Sequence, residues 1–175
     1  MVQNLGLVNG ASGSWTTAPL WSKVDDDLDS PDGTVIVSAN NLSTPSNDVY
    51  FALTCPSDVD TVTAATLRIR AREQGNSGRS ISLFTVWSAT SSTDVNTGTM
   101  SSTLSNYSSS GSSLSISKAT CDSSTLQVRP TTTGSGSAER AEIDGINLDI
   151  TYSTASSPNV NRLLISRTIP IQSTP

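Results

Sequence analysis

The chain has 175 residues, a mass of 18.2 kDa and a formal net charge of −5. Its length fits one domain around a single core, and its acidic character argues against nucleic acid or an anionic membrane as the main partner. The sequence contains no histidine, so Ser-His-Asp and Cys-His catalysis are excluded and the commonest transition-metal ligand is missing.

The composition favours β structure. Hydrophobic residues make up 34% of the chain and charged residues 14%, and the polar surface is instead rich in Ser and Thr, of which Thr fits a pleated sheet well. No apolar run approaches the roughly 18–20 residues that span a bilayer, and the N-terminus lacks the pattern of a secretion signal. We therefore expect a protein that is not exported through a cleaved signal.

We predict three segments in chain order: an N-terminal arm at 1–19, a folded domain at 20–153 and an extended C-terminal arm at 154–175. The domain opens with the acidic stretch DDDLDSPDGT at 25–34. Asp, Pro and Gly favour a turn there, and a loop that binds a hard cation such as calcium is the alternative. We favour the turn.

Short runs with period-2 alternation follow. TVIVS at 34–38 and DVYFALT at 48–54 predict the first two strands of the domain. TLRIRAR at 66–72 is the clearest strand, because its apolar residues share one face and its arginines the other. SISLFTVW at 80–87 is expected to pair with it as a hairpin.

The second half of the domain is predicted in the same way. Residues 88–112 are Ser/Thr-rich and predict at most short strands. SLSIS at 113–117, TLQVRP at 125–130 and INLDITY at 146–152 alternate again. This pattern predicts an all-β fold, a two-sheet antiparallel β-sandwich of jelly-roll type with extended terminal arms.

The arginine row formed by Arg68, Arg70 and Arg72 is a secondary contact candidate. Guanidinium groups spaced along a strand bind carboxylates or phosphates. We favour a simpler role, in which the row is the solvent side of a strand and pairs with cross-strand acids such as Asp149 or Glu142.

Cys55 and Cys121 are the only two cysteines. They are able to form one disulfide, and we favour two reduced, buried thiols, as in a protein that folds in the cytosol.

The C-terminal arm carries apolar side chains beyond the last predicted strand. We expect them either to fold back on their own domain or to contact another subunit as an added edge strand; they are Leu163, Leu164, Ile165, Ile169 and Ile171.

Four stretches carry a resemblance to a known family: WSKVDDDLDSPDGTVIVS, VYFALTCPSDVDTVTAATLRIRAR, ISLFTVW and AEIDGINLDITY. In this order they resemble a β-sandwich module of tailed-bacteriophage virion structural proteins. The resemblance covers about residues 20–153. It implies a jelly-roll-like sandwich used in assembly and brings no catalytic residues with it.

We therefore expect a non-enzymatic virion protein that folds in the host cytoplasm, most simply a capsid decoration or cement protein. The expected partners are further copies of itself, as a homotrimer, and a major capsid or other virion protein, with no nucleic acid or membrane. We expect no catalytic, cofactor or metal site. The alternative is a glycan-binding module of a fibre or cell-surface protein, with Trp15, Trp21 or Tyr107 as stacking platforms.

Overall fold

The structure is a computed structural model. It describes residues 2–4, 6–12, 15, 23–24, 28–38, 48–75, 80–90, 92–111, 113–133 and 140–154. Of residues 2–12 it describes the backbone alone.

The described residues form eleven strands and one short helix. In chain order these are β1 (Val2–Asn4), β2 (Gly6–Ser12), β3 (Ile36–Val37), β4 (Val49–Thr54), β5 (Val59–Gln74), β6 (Ser80–Trp87), β7 (Asp94–Asn96), β8 (Ser105–Gly111), β9 (Ile116–Ser117), α1 (Lys118–Asp122), β10 (Thr125–Thr133) and β11 (Arg140–Thr154).

The strands form two antiparallel sheets. Sheet A has six strands in the order β1-β11-β5-β8, with β3 also paired to β11 and β9 to β5. Sheet B has five strands in the order β2-β4-β10-β6-β7. The expected two-sheet antiparallel β-sandwich is confirmed.

The six longest strands after residue 48 alternate between the sheets, so that β4, β6 and β10 lie in sheet B and β5, β8 and β11 in sheet A. This alternation is jelly-roll-like. It also shows that the predicted hairpin between 66–72 and 80–87 is wrong, because β5 pairs with β8 and β11 whereas β6 pairs with β7 and β10. The two runs contribute apolar side chains to the core from opposite layers, so they need no hydrogen bonds to each other.

The core lies between the sheets and is built by the alternation that the sequence displays. Leu67, Ile69 and Ala71 of β5 are fully buried, as are Ile81, Leu83 and Trp87 of β6. On β11 the predicted inward residues Ile146, Leu148, Ile150 and Tyr152 are all buried. At roughly 1.5–3 kcal/mol for each large apolar side chain, this cluster is the main source of stability.

The Ser/Thr-rich region at 88–112 contains β7 and β8. Val95 and Met100 are buried, as expected of anchors, and Leu104 and Tyr107 are half-buried. The seven-residue β8 pairs with β5 from Ala65↔Gly111 to Ala71↔Ser105. Backbone hydrogen bonds hold it in place, which is why a serine-rich sequence forms an edge strand there.

The N-terminal residues 2–12 add one strand to each sheet. β1 pairs with β11 through Val2↔Thr151 and Asn4↔Asp149, and β2 pairs with β4 through Gly6↔Thr54 and Leu7↔Leu53. The division of the chain into a domain and two arms stays a prediction. The C-terminal arm, with Leu163, Leu164, Ile165, Ile169 and Ile171, lies outside the described residues.

The cysteine prediction is wrong, because Cys55 and Cys121 form a disulfide. Their Cα atoms are 6.1 Å apart, within the range that a disulfide bridges. Cys55 follows β4 and Cys121 lies on α1, directly before β10. The fold brings these ends together, although 66 residues separate them in sequence.

Besides the N-terminal strands β1 and β2, the period-2 alternation missed helix α1. It is a single turn of five residues whose N-cap is Ser117, with the hydroxyl accepting a hydrogen bond from the Thr120 N–H. Lys118 Nζ lies 2.7 Å from Asp122 Oδ2, and Asp122 Oδ1 accepts from the Cys55 N–H at 3.0 Å. The ion pair lies within the helix, and the hydrogen bond from Cys55 fixes α1 beside the disulfide.

Candidate functional site

The arginine row on β5 is paired with acids on β11. Arg68 Nε lies 2.9 Å from Asp149 Oδ2, and Arg72 Nε lies 2.5 Å from Glu142 Oε2. Both carboxylates are among the partners expected from the sequence, so the expected cross-strand pairing is present. A third pair, Arg70 Nε to Asp144 Oδ2 at 3.3 Å, completes the row.

The acids of the row are more deeply buried than the arginines. The side chains of Asp144 and Glu142 are 0% and 5% exposed, whereas those of Arg70 and Arg72 are 25% and 37% exposed. A buried carboxylate without its counter-charge is strongly unfavourable. The row therefore joins β5 to β11, and its arginines are only partly the solvent side that the sequence suggested.

A β-bulge explains why Asp144 was missed. The register passes from Ile143↔Ala71 to Gly145↔Arg70, so β11 has one extra residue at this point. Simple alternation backwards from Ile146 would place Asp144 in the core. The bulge reverses the alternation and puts the carboxylate beside Arg70.

The acidic stretch at 25–34 contains the predicted turn. Asp32 Oδ1 accepts a hydrogen bond from the Thr34 N–H at 2.6 Å, and Gly33 has φ +81°, a left-handed conformation that glycine tolerates best. Asp29 extends towards Arg68 at 3.6 Å. Residues 25–27 lie outside the described part, within which no group of three or more His, Cys, Asp or Glu side chains is placed to hold a metal ion.

Two of the three tryptophans are in the core. Trp15 is 7% exposed, and Trp87 is fully buried and donates from its Nε1 to Ser124 Oγ at 2.7 Å. Trp15 therefore offers no ring face to a sugar, and its proposed role as a stacking platform is wrong. Trp21 lies outside the described residues, and the hydroxyl of the half-buried Tyr107 accepts from the Ser101 N–H at 3.2 Å.

The outer face of sheet B carries a polar network that the sequence analysis did not single out. Its centre is Asp48, directly before β4, with a side chain only 5% exposed. Gln127 Nε2 donates to Asp48 Oδ2 at 2.7 Å and to the Tyr50 hydroxyl oxygen at 3.0 Å. Arg129 donates to the same Asp48 oxygen from Nε at 3.1 Å and from Nη2 at 3.0 Å.

Arg129 differs from the arginines of β5 in its exposure. Its side chain is 46% exposed. Its hydrogen bonds and its charge interaction with Asp48 raise its pKa above the usual value. The guanidinium is therefore fixed on one side and open to solvent on the other.

Apolar side chains border the network. Phe84 is directly opposite Arg129, and Val86 is directly opposite Gln127, on the neighbouring strand β6. Both are half-buried, as is Tyr50 on β4. We call the set Asp48, Tyr50, Phe84, Gln127 and Arg129 the sheet B cluster.

The alternation that identified strands 48–54 and 125–130 also contains the signal for this cluster. Asp48 and Tyr50 alternate with the buried Val49 and Phe51. Gln127 and Arg129 alternate in the same way with Leu126 and Val128. The sequence alone does not show that β10 lies between β4 and β6 and pairs with both.

The described residues contain no helix long and apolar enough to cross a membrane. Neither models of known protein families nor the curated proteins give a match to this chain.

Among solved structures, the chain is similar to the crystallographic structure of the CBM22-1 and GH10 modules of Clostridium thermocellum endo-1,4-beta-D-xylanase 10B, complexed with xylohexaose. The two are 9% identical, with a TM-score of 0.44. The match covers 91% of this chain and 31% of that chain, so this chain spans about a third of the length of the xylanase structure. At this level the match carries no information on function.

Proposed function

We propose that the protein is a non-enzymatic structural protein of a bacteriophage virion, most simply a capsid decoration or cement protein that acts as a homotrimer. The resemblance of residues 20–153 to a virion β-sandwich module supports this role. The stretches that carry it overlap β3, β4, β5, β6 and β11, which are strands of the sandwich that the resemblance implies.

The observation that carries the proposal is the placement of residues 2–12. β1 lies at one edge of sheet A and β2 at one edge of sheet B, and a single residue separates them in sequence. Strands at an edge are held through backbone hydrogen bonds to one neighbour only. Such a segment is able to pair in the same register with a second copy of the chain.

The rest of the sandwich supports a role as a rigid spacer. The ion pairs between β5 and β11 and the Cys55–Cys121 disulfide join strands that are distant in sequence. A domain held in this way keeps its shape while terminal arms contact other subunits or the shell.

Deletion of residues 158–175 tests the role of the C-terminal arm. We expect a domain that keeps its circular dichroism spectrum and its cooperative unfolding but no longer assembles or attaches to the shell. Each large aliphatic side chain of the arm contributes about 1.5–3 kcal/mol if it is fully buried at a contact, before the cost of ordering the arm.

Light scattering after size exclusion gives the oligomer mass, and co-sedimentation with purified shells gives the occupancy. A matched deletion of residues 1–12 separates the two arms. An unchanged mass together with unchanged occupancy in both truncated proteins would contradict the proposal.

The glycan-binding alternative is a second proposal, and the burial of Trp15 weakens the form of it that relies on that ring. A different surface, the sheet B cluster, gives a separate reason to consider carbohydrate.

A further inference from the structure

The sheet B cluster combines anchored polar groups with half-buried aromatic rings. We propose that it binds an uncharged oligosaccharide across strands β4, β10 and β6. The inference is independent of the role in virion assembly, since it concerns a face formed by β4, β6 and β10 and needs neither terminal arm.

The polar groups of the cluster are held in place before any ligand arrives. Asp48 is almost fully buried and accepts from both Gln127 and Arg129. Partly buried hydrogen bonds of this kind restrict the rotamers of both donors, which lowers the entropy cost of binding.

The hydrogen-bonding groups outside this network match sugar hydroxyls. The two N–H donors of the Gln127 amide are directed to Asp48 and to the Tyr50 oxygen, so the amide oxygen remains as an acceptor. Arg129 contacts Asp48 through Nε and Nη2, and the half-exposed guanidinium has further N–H donors. A hydroxyl both donates and accepts, so neighbouring hydroxyls of one sugar are able to bond to both groups.

The aromatic side chains lie on either side of this polar pair. Tyr50 is opposite Gln127 on β4, and Phe84 is opposite Arg129 on β6. Two strand spacings, about 9.5 Å, separate β4 from β6. That span fits two linked sugar rings, with their apolar C–H faces against the rings of the protein.

The charges on the face favour an uncharged ligand. Asp48 neutralises Arg129 within the cluster, and Asp94 is in the same row as Val86 and Gln127. No net positive charge remains on these rows of described residues to attract a phosphate, a sulfate or an acidic peptide.

The test uses the full chain labelled with nitrogen-15 and an array of immobilised glycans that includes uncharged bacterial surface glycans. The strongest uncharged binder is then titrated in solution, with maltohexaose, cellohexaose, N-acetylchitohexaose and a heparin hexasaccharide as fixed comparisons. We expect amide shifts confined to β4, β6 and β10, and weaker binding of heparin.

Two variants locate the site. Gln127→Ala removes the amide, and Phe84→Leu removes the ring while keeping an apolar side chain of similar volume, so the fold is retained. We expect each to lower the affinity at least about tenfold, because the first removes hydrogen bonds to the sugar and the second removes a stacking contact. Asn106→Ala is the matched control, an exposed amide on β8 of sheet A, and should leave the affinity unchanged.

Three results would overturn the inference: no binding to any uncharged glycan, shifts located on sheet A, or tighter binding of the heparin hexasaccharide. Amide shifts produced by a protein fraction of the virion and by no glycan would show that the face is a protein contact instead.

Discussion

The outer faces of the two sheets use the same chemistry to different ends. On sheet A, Arg70 is 25% exposed and faces the fully buried Asp144, whereas on sheet B, Arg129 is 46% exposed above the buried Asp48. The sheet A pairs link two long strands directly. The sheet B pair leaves the outer side of its arginine open to solvent, so a charged pair of similar geometry is structural in one place and a candidate site in the other.

The two sheets also differ in how their long-range pairing is secured. On sheet A three ion pairs cross from β5 to β11, whereas beside sheet B one disulfide joins the end of β4 to the helix before β10. The predictions that follow test this contrast.

The largest effect is expected from the disulfide. Replacing both cysteines, Cys55→Ala with Cys121→Ala, should lower the free energy of unfolding by about 4 kcal/mol, because a cross-link over this length of chain restricts the unfolded state. Urea unfolding of the oxidised protein and of the variant measures the difference. A change below about 1 kcal/mol would mean that contacts around α1 secure β4 without the bond.

The next effect concerns the row on sheet A. Arg70→Met should cost about 3 kcal/mol, because it leaves the carboxylate of Asp144 buried beside an apolar side chain. The double variant Arg70→Met with Asp144→Asn removes the buried negative charge and should recover part of that loss. Urea midpoints at a constant m value report both, and equal stability of single and double variants would refute the explanation.

The matched change on sheet B should be milder. Arg129→Met is expected to cost about 1.5 kcal/mol, since Asp48 keeps its hydrogen bond from Gln127. The same urea experiment gives the value. If Arg129→Met proves as costly as Arg70→Met, the contrast between a structural pair and an open one is lost.

The smallest effect is a pH dependence at Tyr152 on β11. Burial raises the pKa of this phenol above its ordinary value of 10.0, and the hydrogen bond to Asp58 raises it further. The folded state thus holds the proton more tightly than the unfolded state. The stability linked to it is complete below pH 10 and is lost as the pH rises through the folded pKa. The midpoint temperature of thermal unfolding should fall less steeply with rising alkaline pH in Tyr152→Phe than in the natural chain.

Strand positions were predictable because alternation is local. TVIVS, DVYFALT, TLQVRP and INLDITY contain or overlap β3, β4, β10 and β11. Pairing is not local, and this is why the hairpin between 66–72 and 80–87 and the reduced state of Cys55 and Cys121 were both predicted wrongly.

The candidate sites follow the same division. Asp149 was expected opposite the arginine row because it alternates with apolar neighbours in INLDITY. Glu142 was named as a further cross-strand acid, and the bulge at 143–145 places it on the same face as Asp149. Asp144 lies at a bulge, where alternation reverses, and the sheet B cluster needs three strands side by side. Neither the bulge nor the three-strand arrangement can be predicted from a single stretch of sequence.

The position of β11 has a consequence for synthesis of the protein. This strand, residues 140–154, lies between β1 and β5 in sheet A, so the first and the longest strands share a partner made after them. A nascent chain that ends before β11 leaves open the edge of β5 that β11 later covers, and long-range pairing of this kind forms slowly. The centre of sheet A therefore forms only after β11 has been made, and a chaperone that protects the open edge of β5 would act before that step.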